Sequence, residues 1–233
     1  IINHGLAGVD IDWEFPSGAT ENQNLVLFLQ ELRTKMKAYD ENLILTAAVS
    51  AVTREYQVAA LNEVLDFIHI MTYDFSITGI GTPAIHHTNL FQADSMLHYG
   101  AGSIQAYINQ GFTNRHKIIY GAAFYGRRMT VVDNTTNGLR AIQTTAGSVT
   151  YDVIVNTYLS NPERYTRYWD DQAKAPWIYG VNEQGQNVFI TYDDPESIMH
   201  KAQFIHEQNL GGMMFWQYTG DRTGQLMDAI KEH

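Results

Sequence analysis

Five short runs along the chain are apolar at most positions, bounded by polar or glycine-containing turns. Residues 6–13, 43–49, 67–73, 118–124 and 213–218 have the length and composition of strands buried on both faces. Between the first two, Leu25, Phe28, Leu29, Leu32 and Met36 recur at helical spacing, which predicts an amphipathic helix, and Thr20 with Gln23 is the expected capping box. Strands that are apolar throughout and alternate with helices predict an α/β fold with a parallel sheet covered by helices. The connection before the last strand breaks this rhythm. Residues 127–187 gather Tyr151, Tyr165, Tyr168, Trp169, Trp177 and Tyr179, with turn signals at Asn137-Gly138 and Glu183-Gln184-Gly185. They predict a small inserted α+β subdomain.

Composition narrows the function. The 233 residues are 45% hydrophobic, enough for a sizeable core. No stretch approaches the ~20 uninterrupted apolar residues of a membrane helix. The 25 acidic and 15 basic residues give a net charge of −10, and the bases are scattered, which argues against a nucleic-acid partner. There is no cysteine, so disulfides and thiolate chemistry are excluded while the compartment stays open. The chain opens at Ile1-Ile2-Asn3-His4 without an initiator Met or an export signal, the expected look of a fragment or a processed chain.

The candidate chemistry lies in Gly8-Val9-Asp10-Ile11-Asp12-Trp13-Glu14-Phe15-Pro16. Alternate residues of a strand share a face. Asp10, Asp12 and Glu14 therefore form a row about 6.6 Å apart, with Glu14 at the C-terminal end. Carboxylates this close do not all ionise comfortably, so one is expected to hold a proton near neutral pH, the state a general acid needs. Two other readings stand beside this one. The acids of a polar edge strand would simply face water, and three carboxylates would also suit Mg²⁺ or Ca²⁺. No further cluster has ligand spacing, and the rings of the adjacent His86 and His87 are expected to diverge, so no metal and no cofactor is expected.

The same segment resembles the D-G-x-D-x-D-x-E signature of glycoside hydrolase family 18, the chitinases and their relatives, with Ala7 in place of the first acid. Four further segments are similar to that family in the same order: Met71-Thr72-Tyr73-Asp74, Tyr125-Gly126-Arg127, Tyr192-Asp193-Asp194 and Phe215-Trp216. The resemblance implies a (β/α)8 TIM barrel, of which this chain carries strands 4–8, with an α+β insertion between strands 7 and 8. Residues 1–126 and 191–233 would belong to the barrel and 127–190 to the insertion. The first three strands would come from the parent chain.

It also implies a retaining enzyme that cuts β-1,4 links between N-acetylglucosamine units of chitin and chitooligosaccharides, using the substrate's own acetamido group as nucleophile. Glu14 would be the general acid and base. Asp12 would accept from the acetamido N–H, Asp10 would share a proton behind it, and Tyr73 would hold the acetamido carbonyl. Met71, Asp74, Tyr125, Arg127, Met214 and Trp216 would line the sugar site. A secreted enzyme is the expectation. The alternatives are an endo-β-N-acetylglucosaminidase acting on N-glycans, or a non-catalytic chitin-binding or structural protein of the same fold. The long insertion argues against the first and the presence of Glu14 against a chitin-binding lectin, while the structural alternative stays open.

Overall fold

The computed structural model describes residues 4–54, 56–76, 79–93 and 96–232. The chain divides into two compact units. The first comprises Ile1–Met71, Gly102–Gly121 and Ile205–Met214; the second comprises Thr72–Ala101, Ala122–Phe204 and Phe215–His233.

The first unit is built on the predicted parallel sheet. Its strands β1 (Gly8–Asp12), β2 (Ile44–Ser50), β3 (Phe67–Met71) and β4 (Ile118–Ala123) pair in parallel in chain order, and β10 (Gly212–Trp216) lies beside β4. The all-apolar runs account for this, since Leu45, Ala47, Val49, Ile68, Ile70, Ile118 and Tyr120 are buried. The sheet departs from expectation at β1. This strand lies at the end of the sheet, and Asp10 and Asp12 are exposed while Val9 and Ile11 are only half-buried.

Helix α1 (Gly18–Tyr39) covers part of this sheet with Leu25, Val26, Leu29 and Met36, whereas Phe28 is exposed. Its N-terminus corrects the capping expectation. The helix starts two residues before Thr20, with Ser17 at the cap, and the Glu21 carboxylate accepts the Ser17 N–H at 2.7 Å. Arg33 fastens α1 to the sheet. Its guanidinium donates to the carbonyls of Val64 and Leu43 and pairs with Asp66 at 2.6 Å, and the same Asp66 oxygen accepts the Leu45 N–H. This fixes the start of β2 where it must face β1. At Gly8 the two strands run so close that an added Cβ would meet the Ile44 carbonyl oxygen. Gly8→Ala is therefore expected to lower stability by about 1–3 kcal/mol, read as a lower urea midpoint with an unchanged slope.

The second unit carries an antiparallel sheet of β5 (Tyr125–Val131), β6 (Gln143–Thr150), β7 (Tyr165–Asp170), β8 (Ala175–Val181) and β9 (Asn187–Thr191), in the order β6-β5-β9-β8-β7. Both expected turns form. Asn137 and Gly138 have φ of 51° and 78°, and Gly185 has φ of 75°. One face of the sheet closes a core of Met129, Val131, Leu139, Trp177 and Phe189, against which Tyr168 and Tyr179 pack. After β9, helix α2 (Pro195–Glu207) brings Ser197 and Lys201 back onto the strand end.

Candidate functional site

In the first unit the acid row is held by its neighbours in the sheet. Parallel pairing sets Asp10 opposite Thr46, whose hydroxyl donates to Asp10 Oδ1 at 2.5 Å. From β3, His69 Nδ1 faces the same oxygen at 3.5 Å. Burial lowers the His69 pKa, and the Asp10 charge opposes that shift. Asp12 ends β1, and Glu14 follows two residues later on a cis peptide to Phe15. Arg54 lies over the Phe15 ring, 5.4 Å from its centroid. Tyr56 sits within electrostatic reach of both Glu14 and Asp12. Burial raises its hydroxyl pKa, and the two carboxylates add to the rise. Met71, at the end of β3, and Met214, in the middle of β10, are half-buried.

In the second unit, residues named from two separate motifs form one cluster. Arg127 binds Asp74 through two parallel hydrogen bonds, Nε to Oδ1 at 2.7 Å and Nη2 to Oδ2 at 2.6 Å. Its guanidinium also lies over the Tyr125 ring, 5.3 Å from the centroid, and Tyr73 meets Tyr125 edge-on at 6.1 Å. Asp74 is in the left-handed region at φ 64°. Burial alone would raise its carboxyl, but the close His87 imidazole and the hydrogen-bonded Arg127 guanidinium outweigh burial and hold it far below the ordinary aspartate value. Its contribution to stability is thus present above that ordinary value and fades as pH falls through the acid range. Trp216 is 56% exposed. Its carbonyl accepts the Phe124 N–H, while Phe215 stacks on Phe124 with centroids 4.3 Å apart.

Several residues beside these were not legible in the sequence. His86 and His87 do diverge. His86 reaches Asp170 at 3.2 Å, while His87 turns to Asp74 at 3.6 Å. Behind them lies a closed network. Lys201 Nζ binds both Asp193 oxygens, at 2.5 and 2.6 Å, and the Thr88 hydroxyl at 2.7 Å. Asp193 also accepts from Ser197 Oγ, Thr88 Oγ1 and the Ala123 N–H. Lys201 and Asp193 are 0% and 1% exposed at their side chains. The only signals were the motif Tyr192-Asp193-Asp194 and a lysine at helical spacing after it. Among the described residues, no group of three His, Asp or Glu side chains could hold a metal ion.

Known proteins agree on one kinship. Chitinase A1 of Niallia circulans is 32% identical over 261 residues, a match that takes in 98% of this chain and 36% of that protein. Chitinase B of Serratia marcescens is 29% identical, over 99% of this chain and 58% of that one. The chain thus spans between about a third and three-fifths of the length of these relatives. Among solved structures, a glycoside hydrolase family 18 N-acetylglucosaminidase from Paenibacillus barengoltzii has a TM-score of 0.88 at 31% identity, covering 99% of this chain and 72% of that one. A class V chitinase from Nicotiana tobaccum in complex with NAG4 has a TM-score of 0.88 at 28% identity, covering 98% and 68%. The family profile described as glycosyl hydrolases family 18 matches residues 1–221. With the carboxylate row at the end of its first parallel strand, this chain belongs to glycosyl hydrolase family 18.

Proposed function

We propose that the chain is the catalytic portion of a retaining chitinase that hydrolyses β-1,4 links between N-acetylglucosamine units. The observation that carries this reading is the row of Asp10, Asp12 and Glu14, with Asp10 tied to Thr46 and His69 so that its neighbours project from a fixed strand end. Glu14 protonates the leaving oxygen while the acetamido oxygen of the substrate attacks the anomeric carbon of the same sugar. The C–O bond breaks, an oxazolinium ion forms, and Glu14 then takes a proton from the water that opens it. Asp12 accepts from the acetamido N–H and balances the positive charge of that ion. Tyr73 orients the acetamido oxygen, and such positioning supplies much of the rate gain in reactions of this kind.

Asp74, Tyr125 and Arg127 hold sugar hydroxyls, Trp216 offers an indole face to a pyranose ring, and Met71 and Met214 flank the acetamido group. Residues 1–126 and 191–233 are read as barrel strands four to eight with their helices, and 127–190 as the insertion that raises one wall of the cleft. A barrel of eight strands takes its first three from the parent chain. The enzyme is read as a secreted one that uses no cofactor.

The test is release of chromophore by this chain from glycosides of N-acetylglucosamine, chitobiose and chitotriose. Turnover of the chitobiose or chitotriose compound supports the reading. A folded chain that binds chitotriose without turnover is a binding protein of this family, and one that acts only on the monosaccharide compound is an N-acetylglucosaminidase.

A further inference from the structure

His87 has no part in the mechanism above, yet its surroundings are those of a residue with a task. Its side chain is fully buried, and neither ring nitrogen has a partner at ordinary hydrogen-bond distance among the described residues. A buried polar group left in that state costs stability. Its backbone is fastened on both sides. The His87 N–H donates to Thr191 Oγ1 at 3.1 Å, and its carbonyl accepts from the N–H of Phe75, the residue after Asp74, at 3.0 Å. The ring rests against Tyr125 with centroids 5.3 Å apart. Thus anchored, it presents Nδ1 to Asp74 Oδ1 at 3.6 Å, the oxygen that also accepts from Arg127 Nε.

We infer that His87 is a positioning residue: as a neutral imidazole with its proton on Nδ1 it holds Asp74 square to Arg127, and on protonation it draws the carboxylate away and loosens the sugar-binding edge. The inference rests on the assignment of Asp74 and Arg127 to substrate binding. The charged and titratable groups around the ring set the direction. Burial disfavours the imidazolium, and the Arg127 charge adds to that, while Asp74 and, through its field, Asp193 favour it. Asp193 is itself neutralised by Lys201. Tyr125 stays protonated, since burial raises its hydroxyl. The ring is therefore neutral at pH 7 and takes its proton only on the acid side.

The experiment measures kcat and KM for a chitotriose glycoside from pH 4 to 8 in the parent chain and in His87→Gln and His87→Asn. In the parent, KM is expected to rise as pH falls, over and above any change in kcat. In the variants KM at pH 7 is expected to rise roughly tenfold, the scale of one hydrogen bond to a charged group, with kcat nearly unchanged and the acid-side rise in KM gone. Variant KM curves parallel to the parent curve, or a loss confined to kcat, would overturn the inference. A second readout needs no activity. Long-range ¹H–¹⁵N spectra at pH 7 should show a neutral His87 with its proton on Nδ1, and a proton on Nε2 or an imidazolium would overturn it. A chain without turnover overturns the chitinase reading alone, because the spectrum still decides the state of His87.

Discussion

Glu14→Gln is expected to lower turnover of a chitotriose glycoside by several orders of magnitude while chitotriose still binds. The amide keeps the size of the side chain and its capacity to accept a hydrogen bond, but it has no proton of suitable acidity for the leaving oxygen. General acid–base catalysis is worth about 10²–10⁴ in rate, and in the proposed mechanism one residue serves both steps. Losses at such a residue fall on kcat and kcat/KM together. The comparison is made by single-turnover kinetics with calorimetric titration of chitotriose. A variant that retains turnover would remove Glu14 from the mechanism, and loss of binding along with turnover would assign it to substrate recognition. The surroundings support a role for the acid row as a whole: Asp10 is fixed by Thr46 and His69, and Tyr56 lies within the field of both Asp12 and Glu14.

Lys201→Met is expected to be the most damaging single change to the fold outside the cores. It leaves the Asp193 carboxylate buried with only hydroxyl and amide donors, and breaking such a pair costs about 3–5 kcal/mol. In a chain of this size that corresponds to a fall in melting temperature of roughly 10 °C. Lys201→Met combined with Asp193→Asn should recover part of the loss, because the orphaned charge is gone while the Ala123 N–H keeps an acceptor. Equal stability of the single and double variants, measured by calorimetry, would show that the charge itself matters little. The network has a functional side as well. Asp193 anchors Ala123, two residues before Tyr125, and Thr88 follows His87 in the chain, so the same ion pair steadies both approaches to the Asp74–Arg127 cluster.

What was legible in the sequence depended on how local its cause was. The parallel strands could be read because each run is apolar at most positions, and the turns at Asn137-Gly138 and Gly185 because a positive φ selects those residues. The start of α1 was misplaced because Glu21 reaches back to the Ser17 N–H from the fourth helical position, outside the three-residue spacing of a capping box. The order β6-β5-β9-β8-β7 could not be read, since the strands of the antiparallel sheet alternate too weakly to fix their pairing. In the candidate site, Asp74 was named from one motif and Tyr125 and Arg127 from another, and nothing in the spacing indicated that Asp74 and Arg127 bind one another. His87 was named only for its divergence from His86, and Thr88 and Lys201 escaped notice because what joins them is distant in sequence: Thr88 lies 105 positions from Asp193 and 113 from Lys201.

The pairing of Arg127 with Thr191 joins the strands of the antiparallel sheet that come first and last in the chain. Strand β10 must find β4 across all the chain from Ala123 to Gly212, a long loop to close. Once β5 and β9 are zipped together, the contour between those strands shortens roughly fourfold, and at ~0.6 kcal/mol per doubling of loop length the closure becomes easier by about 1 kcal/mol. The antiparallel sheet would then act as a clasp during folding, and substitutions that loosen β5 against β9 should slow the docking of β10 even where they leave the proposed sugar-binding residues untouched.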